Sequence, residues 1–362
     1  MKKILIITAN YGTGHLIASK AIEQMIGNSN DVLLLDIVEK GGYIEKITSK
    51  FYIWMSKHSH FLWRLIYYNP ITRLNIIKSI LTSFINKKVY SILENYRPDI
   101  IISTHFLSTL YGAKYKLENK STKLFVCITD YEVHPIWINN FVDMYFLPSE
   151  YSVKDLKSSN YMITGIPLRK GFLEEIDKNA LRREFNIHTK NLIVLLNLGS
   201  NSVLPLRDAI KYIKMFSKKL YFLVIAGRNE KNYEKLQEVF IDLNTYDFKL
   251  FGFTEDIHKL MFLCDFSVAK AGGLNLTELI YTKTPAIYYK SLPGQEEGNE
   301  RFIKEHGLGF IAKNFKQLVR YTEFIIQNPS VLNYFMSNLS YQKESMNFLK
   351  IKEMVSHETI AL

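Results

Sequence analysis

The sequence predicts an α/β protein built from two doubly wound parallel-sheet units, and three observations carry that reading. Short β-branched apolar runs bounded by turn residues recur along the whole chain, segments of helical spacing alternate with them, and the alternation runs through twice. The chain has 362 residues. That is long enough for two domains with separate buried cores, at roughly 100–200 residues each.

In the first half the strand signals fall at residues 4–8, 32–36, 99–103, 123–128, 144–147 and 161–164. The second half offers 192–198, 221–226, 249–251, 266–269, 286–289 and 309–312. Each is a short, nearly continuous apolar run, as expected of parallel strands covered on both faces. Helical spacing appears at 15–25, 204–216, 232–242, 274–281 and 296–306. The break lies at Gly165-Ile166-Pro167-Leu168 and the charged stretch 169–183, where Gly and Pro punctuate the chain and strand signals stop. The expected spans are therefore 1–167 for an N-terminal domain, 168–340 for a C-terminal domain and 341–362 for a polar helical tail.

Composition narrows the function classes. Hydrophobic residues make up 47% and charged residues 22%, the balance of a globular protein. A formal net charge of +11 favours contact with something anionic: nucleic acid, a phosphate-rich substrate or an acidic membrane. Cys127 and Cys264 lie far apart in apolar runs without CxxC spacing, so two buried thiols are expected rather than a disulfide or a zinc site. The run 4–7 after Met1-Lys2-Lys3 is too short for a signal peptide and reads as a first strand. No uncharged apolar stretch reaches the ~18–20 residues of a spanning helix, so membrane contact is expected to be peripheral.

The chemistry-bearing motifs sit at strand ends, where open α/β sheets bind ligands. The first strand runs into Asn10-Tyr11-Gly12-Thr13-Gly14-His15, which aims His15 from a helix start toward oxygen-rich groups. Ser103-Thr104-His105-Phe106 ends another strand, and Thr129-Asp130-Tyr131-Glu132-Val133-His134-Pro135-Ile136-Trp137 follows a third. His15 reads as a base or a helix-terminal orienting residue. Asp130 and His134 suit general base work or the orientation of one, and Trp137 an apolar acceptor pocket, unless Asp130 caps a helix and Trp137 is core.

In the second half, Gly199-Ser200-Asn201-Ser202 is a candidate diphosphate cradle. Lys270-Ala271-Gly272-Gly273-Leu274 opens a helix after a strand, with Lys270 a cation for phosphates and Glu278 about one turn on for a ribose diol. Pro293-Gly294-Gln295-Glu296-Glu297-Gly298-Asn299 offers amides and carboxylates for sugar hydroxyls. Together these make a nucleotide-sugar site.

The stretch KAGGLNLTELIYTKTPAIYYKSLPGQEEGN, with FGFTEDIHKLM upstream, TGIPLRKGF at the junction and NYGTGH near the start, resembles the monogalactosyldiacylglycerol synthases and processive diacylglycerol glucosyltransferases. More distantly it resembles the lipid I N-acetylglucosaminyltransferase. The resemblance implies a GT-B fold, two Rossmann-like domains with an interdomain cleft, and an inverting, metal-independent transfer. It implies a UDP-sugar, UDP-glucose or UDP-galactose, on the C-terminal domain and a lipid such as diacylglycerol approaching the N-terminal one. No metal and no cofactor is expected, and the chain holds no DxD triplet. Carried over by position, Gly272 and Gly273 would bind diphosphate, Phe253 the uracil through its backbone, Glu278 the ribose, and Gln295 and Glu296 the sugar. Gly199, Ser200, Asn201, Gly227, Lys270, Leu274 and Asn299 complete the expected donor set. His15, with Gly14 beside it, falls on the glycine-rich loop histidine. Two departures stand out: Leu198-Gly199-Ser200-Asn201 has fewer glycines than the usual loop, and Lys270-Ala271-Gly272-Gly273 replaces Lys-Pro-Gly-Gly.

Residues 46–93 contain no Asp or Glu and interleave Lys and Arg with aromatics that include Trp54, Trp63 and Tyr67. Basic residues beside amphipathic aromatics suit an anionic membrane surface. With His105 and Trp137 these aromatics form the expected acceptor and membrane face, although packing onto the sheet is the plainer alternative for such a segment. No RNP, helix-turn-helix or zinc pattern supports nucleic acid as the partner. The reading is therefore a cytoplasmic enzyme, peripheral on the inner face of the membrane, that moves a hexose onto diacylglycerol or a glycosyl-diacylglycerol. A polyprenyl or natural-product acceptor, a UDP-sugar 2-epimerase and a silent UDP-sugar sensor are the alternatives.

Overall fold

The computed structural model describes residues 1–42, 85–156, 160–174, 176–199, 204–244, 247–291, 294 and 296–357. The chain forms two compact units, one of Met1–Lys170, Leu292–Asn299 and Ser345–Leu362, the other of Gly171–Ser291 and Glu300–Glu344. The units are discontinuous in sequence, unlike the three contiguous spans read from it.

Unit 1 carries strands β1 (Lys3–Thr8), β2 (Asp31–Asp36), β3 (Ile100–Ser103), β4 (Lys123–Cys127), β5 (Met144–Leu147) and β6 (Tyr161–Ile163). They form one parallel sheet in the order β2-β1-β3-β4-β5-β6. Its helices are α1 (Thr13–Ile26), the single turn α2 (Ile37–Lys40), α3 (Lys87–Tyr96) and α4 (Phe106–Glu118). Alternation along β1 explains the continuous apolar run. Ile4 and Ile6 join a core with Ile22 and Ile26 of α1, while Leu5 and Ile7 join another with Val89 and Leu93 of α3. α3 is also the described end of the basic aromatic segment. Asn86 starts it, accepting the Lys88 and Val89 N–H groups on its side-chain oxygen.

Unit 2 carries α5 (Lys178–Glu184), β7 (Leu192–Asn197), α6 (Leu206–Phe216), β8 (Leu220–Ile225), α7 (Glu230–Asp242), β9 (Phe248–Phe251), α8 (Ile257–Leu263), β10 (Phe266–Ala269), α9 (Gly273–Thr282), β11 (Ala286–Tyr289), β12 (Gly309–Ala312), α11 (Phe315–Gln327) and α12 (Ser330–Glu344). Helix α10 (Glu297–His306) precedes β12 and begins on the last residues assigned to unit 1. The sheet order is β12-β11-β10-β7-β8-β9, again all parallel. Val194, Leu196, Phe222, Val224, Phe266 and Val268 alternate onto one core with Ile213 and Phe216 of α6 and Leu236 of α7.

The tail from Ser345 onward is part of unit 1. Its helix α13 (Leu349–His357) belongs to unit 1, where Ile351 and Val355 are buried against the α1 face of the sheet. Lys2 Nζ donates to the carbonyls of Val355 at 2.6 Å and Ser356 at 3.1 Å, placing a cation at that helix's negative end. Phe348 packs on Gly165, whose φ of +80° and lack of a Cβ the contact requires; a Cβ there would lie 2.6 Å from the Phe348 ring. Among the described residues no helix is long and apolar enough to cross a membrane.

Candidate active site

In each sheet the chain starts on an interior strand and later turns to the other side of it, leaving a switch point where the connections diverge. In unit 1 it lies between β1 and β3, in unit 2 between β7 and β10. These are the positions where doubly wound sheets accept ligands.

At the unit 1 switch point the third residue of α1 is His15, which is buried. Its Nδ1 lies 2.9 Å from the backbone oxygen of Thr104, just past β3, and 2.9 Å from Thr129 Oγ1, just past β4. A carbonyl only accepts, so the bond to Thr104 places the proton on Nδ1 and the lone pair on Nε2. Beneath the ring, Ser19 Oγ donates to the His15 carbonyl at 3.0 Å and meets Thr104 Oγ1 at 2.8 Å, which in turn donates to Thr8 Oγ1 at 2.8 Å. Ser19 sits four residues after His15 and therefore on the same helix face. That spacing, with hydroxyl residues at three strand ends, is the sequence signal for these supports.

His105 stands edge-on to His15, with ring centroids 4.7 Å apart, and stacks on Tyr11 at 5.3 Å. Its Nδ1 accepts the Leu107 N–H at 3.2 Å, so the neutral ring carries its proton on Nε2. Burial, and secondarily the neighbouring His15, hold its pKa well below the ordinary histidine value. Trp137 is buried and packs 6.3 Å from His15 and 6.2 Å from His105. It backs the two histidines as part of the core rather than lying open as a pocket wall. Half-buried His134 serves the local backbone, since its Nδ1 accepts the Ile136 N–H at 3.2 Å and caps the short turn Pro135–Trp137. Asp130 is buried, follows the Thr129 that touches His15, and accepts from Asn299 Nδ2 at 3.4 Å. Gly14 is the second residue of α1, beside His15.

At the unit 2 switch point, Gly199 lies two residues past β7 and Lys270 directly past β10. The Gly199 N–H donates to Asn197 Oδ1 at 3.1 Å. Gly227, beyond β8, has φ +78° and touches Gly199 backbone to backbone; a Cβ on Gly227 would sit 2.7 Å from Gly199 Cα. Two loops thus converge as only glycine allows. α9 starts at Gly273 after an N-cap Gly272 that offers no side-chain cap, so its first-turn N–H groups point past the sheet edge. Asn275 Nδ2 donates to the Lys270 carbonyl at 3.1 Å and ties that turn down. Leu274 is buried apolar surface, and Glu278 is buried in the second turn of α9. Phe253 is 54% exposed, with the Arg228 guanidinium 3.8 Å over its ring. Sequence reasoning passes over Arg228, although a cation directly after a strand-end glycine is a visible signal.

Glu296 and Asn299 are buried in unit 1, not in the unit that carries the other expected donor residues. Ser200, Asn201, Gln295, Trp54, Trp63 and Tyr67 lie outside the described residues. Cys127 and Cys264 are buried free thiols, and burial raises both, Cys127 to about 12. Among the described residues no group of three His, Cys, Asp or Glu is placed to hold a metal ion.

A family model described as monogalactosyldiacylglycerol (MGDG) synthase matches residues 15–168. The chain is 27% identical over 347 residues to a processive diacylglycerol beta-glucosyltransferase of Bacillus licheniformis, covering 93% of this chain and 90% of that protein. The crystal structure of Acinetobacter baumannii MurG superposes with a TM-score of 0.64 at 12% identity, covering 98% of this chain and 99% of that one. Phytolacca americana UGT2, complexed with UDP-2fluoro-glucose and pterostilbene, gives 0.66 at 10% identity, with 98% and 99% covered. The fold is therefore GT-B, and the chain is a relative, along nearly its whole length, of the processive diacylglycerol beta-glucosyltransferases.

Proposed function

We propose that this chain is an inverting glycosyltransferase that moves a hexose from a UDP-sugar to the hydroxyl of diacylglycerol or a glycosyl-diacylglycerol. The observation that carries the mechanism is His15, buried at the switch point with Nδ1 held by the Thr104 carbonyl, which makes Nε2 the basic nitrogen. In the reaction the acceptor oxygen attacks the anomeric carbon, its proton passes to His15 Nε2, and the bond to the UDP oxygen breaks with inversion. The first turn of α9 and Lys270 offset the charge gathering on the departing diphosphate, and the reading needs no metal. Glu278 holds the ribose and Glu296 a sugar hydroxyl. UDP-glucose is the first choice of donor because the named Bacillus relative is a glucosyltransferase. UDP-galactose is the competitor.

The acceptor reading rests on the same relative and on the acid-free basic aromatic composition of residues 46–93, which suits the anionic, cytoplasmic face of a membrane. The test is to incubate purified protein with anionic vesicles containing diacylglycerol and single UDP-sugars, following UDP and glycolipid by mass spectrometry. A β-linked glycosyl-diacylglycerol from one donor is the expected product. UDP release or UDP-sugar epimerisation without any glycolipid overturns the proposal.

A further inference from the structure

Asn299 falls among the donor-binding residues expected from the sequence, yet its carboxamide is fully buried and engaged elsewhere. Its Oδ1 accepts the Tyr131 N–H at 2.8 Å, and its Nδ2 donates to Asp130 Oδ1 at 3.4 Å. The chemistry fixes the amide's orientation. A backbone N–H only donates, so the atom facing Tyr131 is the oxygen, and the NH2 is left to donate to Asp130 Oδ1. Tyr131 is gripped from its other side as well, since Ser152 Oγ donates to its carbonyl at 2.8 Å. One residue before Asp130, Thr129 Oγ1 meets His15 Nδ1 at 2.9 Å. Next to Asn299, Gly298 lies against the Glu132 side chain so closely that a Cβ would come within 2.4 Å of Glu132 Cβ. A segment more than 160 residues away in sequence is therefore seated along 130–132.

We propose that Asn299 is a positioning residue for the transfer. It holds the Asp130 carboxyl group in place beside the loop that orients His15, and it acts on the reaction through Asp130 rather than through the donor. The proposal rests on the glycosyltransferase reading above. No other side chain of this size supplies both halves of the contact: Asp keeps the acceptor for Tyr131 but turns a carboxylate toward Asp130, and Ala keeps neither.

The experiment compares wild type, Asn299→Asp and Asn299→Ala in the vesicle assay, with UDP affinity measured by calorimetry and melting temperatures recorded. Wild-type turnover tests the reaction itself; the variants test the positioning. In Asn299→Ala, kcat is expected to fall by ~10- to 100-fold, the scale of a small misplacement of a reacting group, while UDP affinity stays within about twofold. In Asn299→Asp, which keeps the bond to Tyr131, the like charge favours protonated Asp130, so the acidic limb of the pH–rate profile moves to higher pH. Should the alanine variant fold poorly, the aspartate variant alone decides. An unchanged pH profile with wild-type kcat in Asn299→Asp would reduce Asn299 to a structural latch. A loss seen only as weaker UDP or UDP-sugar binding would return it to the donor site. Either result overturns the proposal.

Discussion

His15 Nδ1 and the Thr104 carbonyl oxygen lie 2.9 Å apart and join the helix after β1 to the end of β3 across the switch point. The bond decides which imidazole nitrogen carries the lone pair, and a lone pair on Nε2 is what a base needs. His15→Ala is expected to lower kcat by ~10²- to 10⁴-fold, the range for a general base, with UDP affinity retained. Full activity in that variant would remove His15 from the reaction and promote Asp130.

His105 makes stability depend on pH. Its folded pKa is depressed by burial and by His15, so the folded protein keeps the ring neutral while the unfolded chain protonates it below its ordinary value. The unfolded state then binds more protons, and this contribution to stability, complete at neutral pH, is lost as pH falls below ~6.5. One such proton corresponds to at most about 1.4 kcal/mol per pH unit. His105→Asn keeps an acceptor for the Leu107 N–H and removes the titration. Thermal melts from pH 7 to pH 5 are expected to show a shallower loss of Tm in this variant than in wild type; equal slopes would mean that the buried ring is not the group responsible.

Much of the fold is legible in the sequence because a parallel strand buried on both faces leaves a compact apolar signature. All twelve strands expected from the sequence exist, each with ends within two residues of those observed. His15, His105 and the Lys270–Gly273 turn are legible because strand ends concentrate polar residues among apolar ones. Contacts between residues distant in sequence leave no periodic trace. Nothing in the spacing of Asn299 and Asp130 announces that they meet, nor that Ile351 returns to the first sheet. His134 shows a purely local role that its spacing does not announce: a histidine before a proline at a turn makes a good cap, and its Nδ1 accepts the Ile136 N–H.

Gly227 carries the clearest backbone prediction. With φ +78° and Gly199 Cα 2.7 Å from any added Cβ, Gly227→Ala must strain its own residue and push the Gly199 loop aside. A cost of ~1–3 kcal/mol in stability is expected, with UDP binding weakened by at least about tenfold because both displaced loops end at the ligand edge of the sheet. Gly27→Ala is the control, since φ there is −63° and nothing lies within 4 Å of the new methyl. Chemical denaturation and UDP calorimetry on the pair settle it; equal behaviour of the two variants would show that the loop contact does not matter to UDP.

Lys270 tests how the leaving group is stabilised. It follows β10 directly, its carbonyl is fixed by Asn275 Nδ2 at 3.1 Å, and α9 begins three residues later with an N-terminus that has no side-chain cap. A cation carried on this fixed turn and the N–H groups of the helix start, at one strand end, can offset the charge that develops on UDP. Lys270→Met is expected to lower kcat by ~10²- to 10³-fold, with a smaller loss in affinity for UDP-sugar than for free UDP, whose terminal phosphate carries more charge. Wild-type activity is expected to persist in excess EDTA. If EDTA abolished turnover and added Mg²⁺ restored it, the burden assigned to Lys270 and α9 would pass to a bound metal, and the Lys270→Met loss would have to be reinterpreted as lost donor binding.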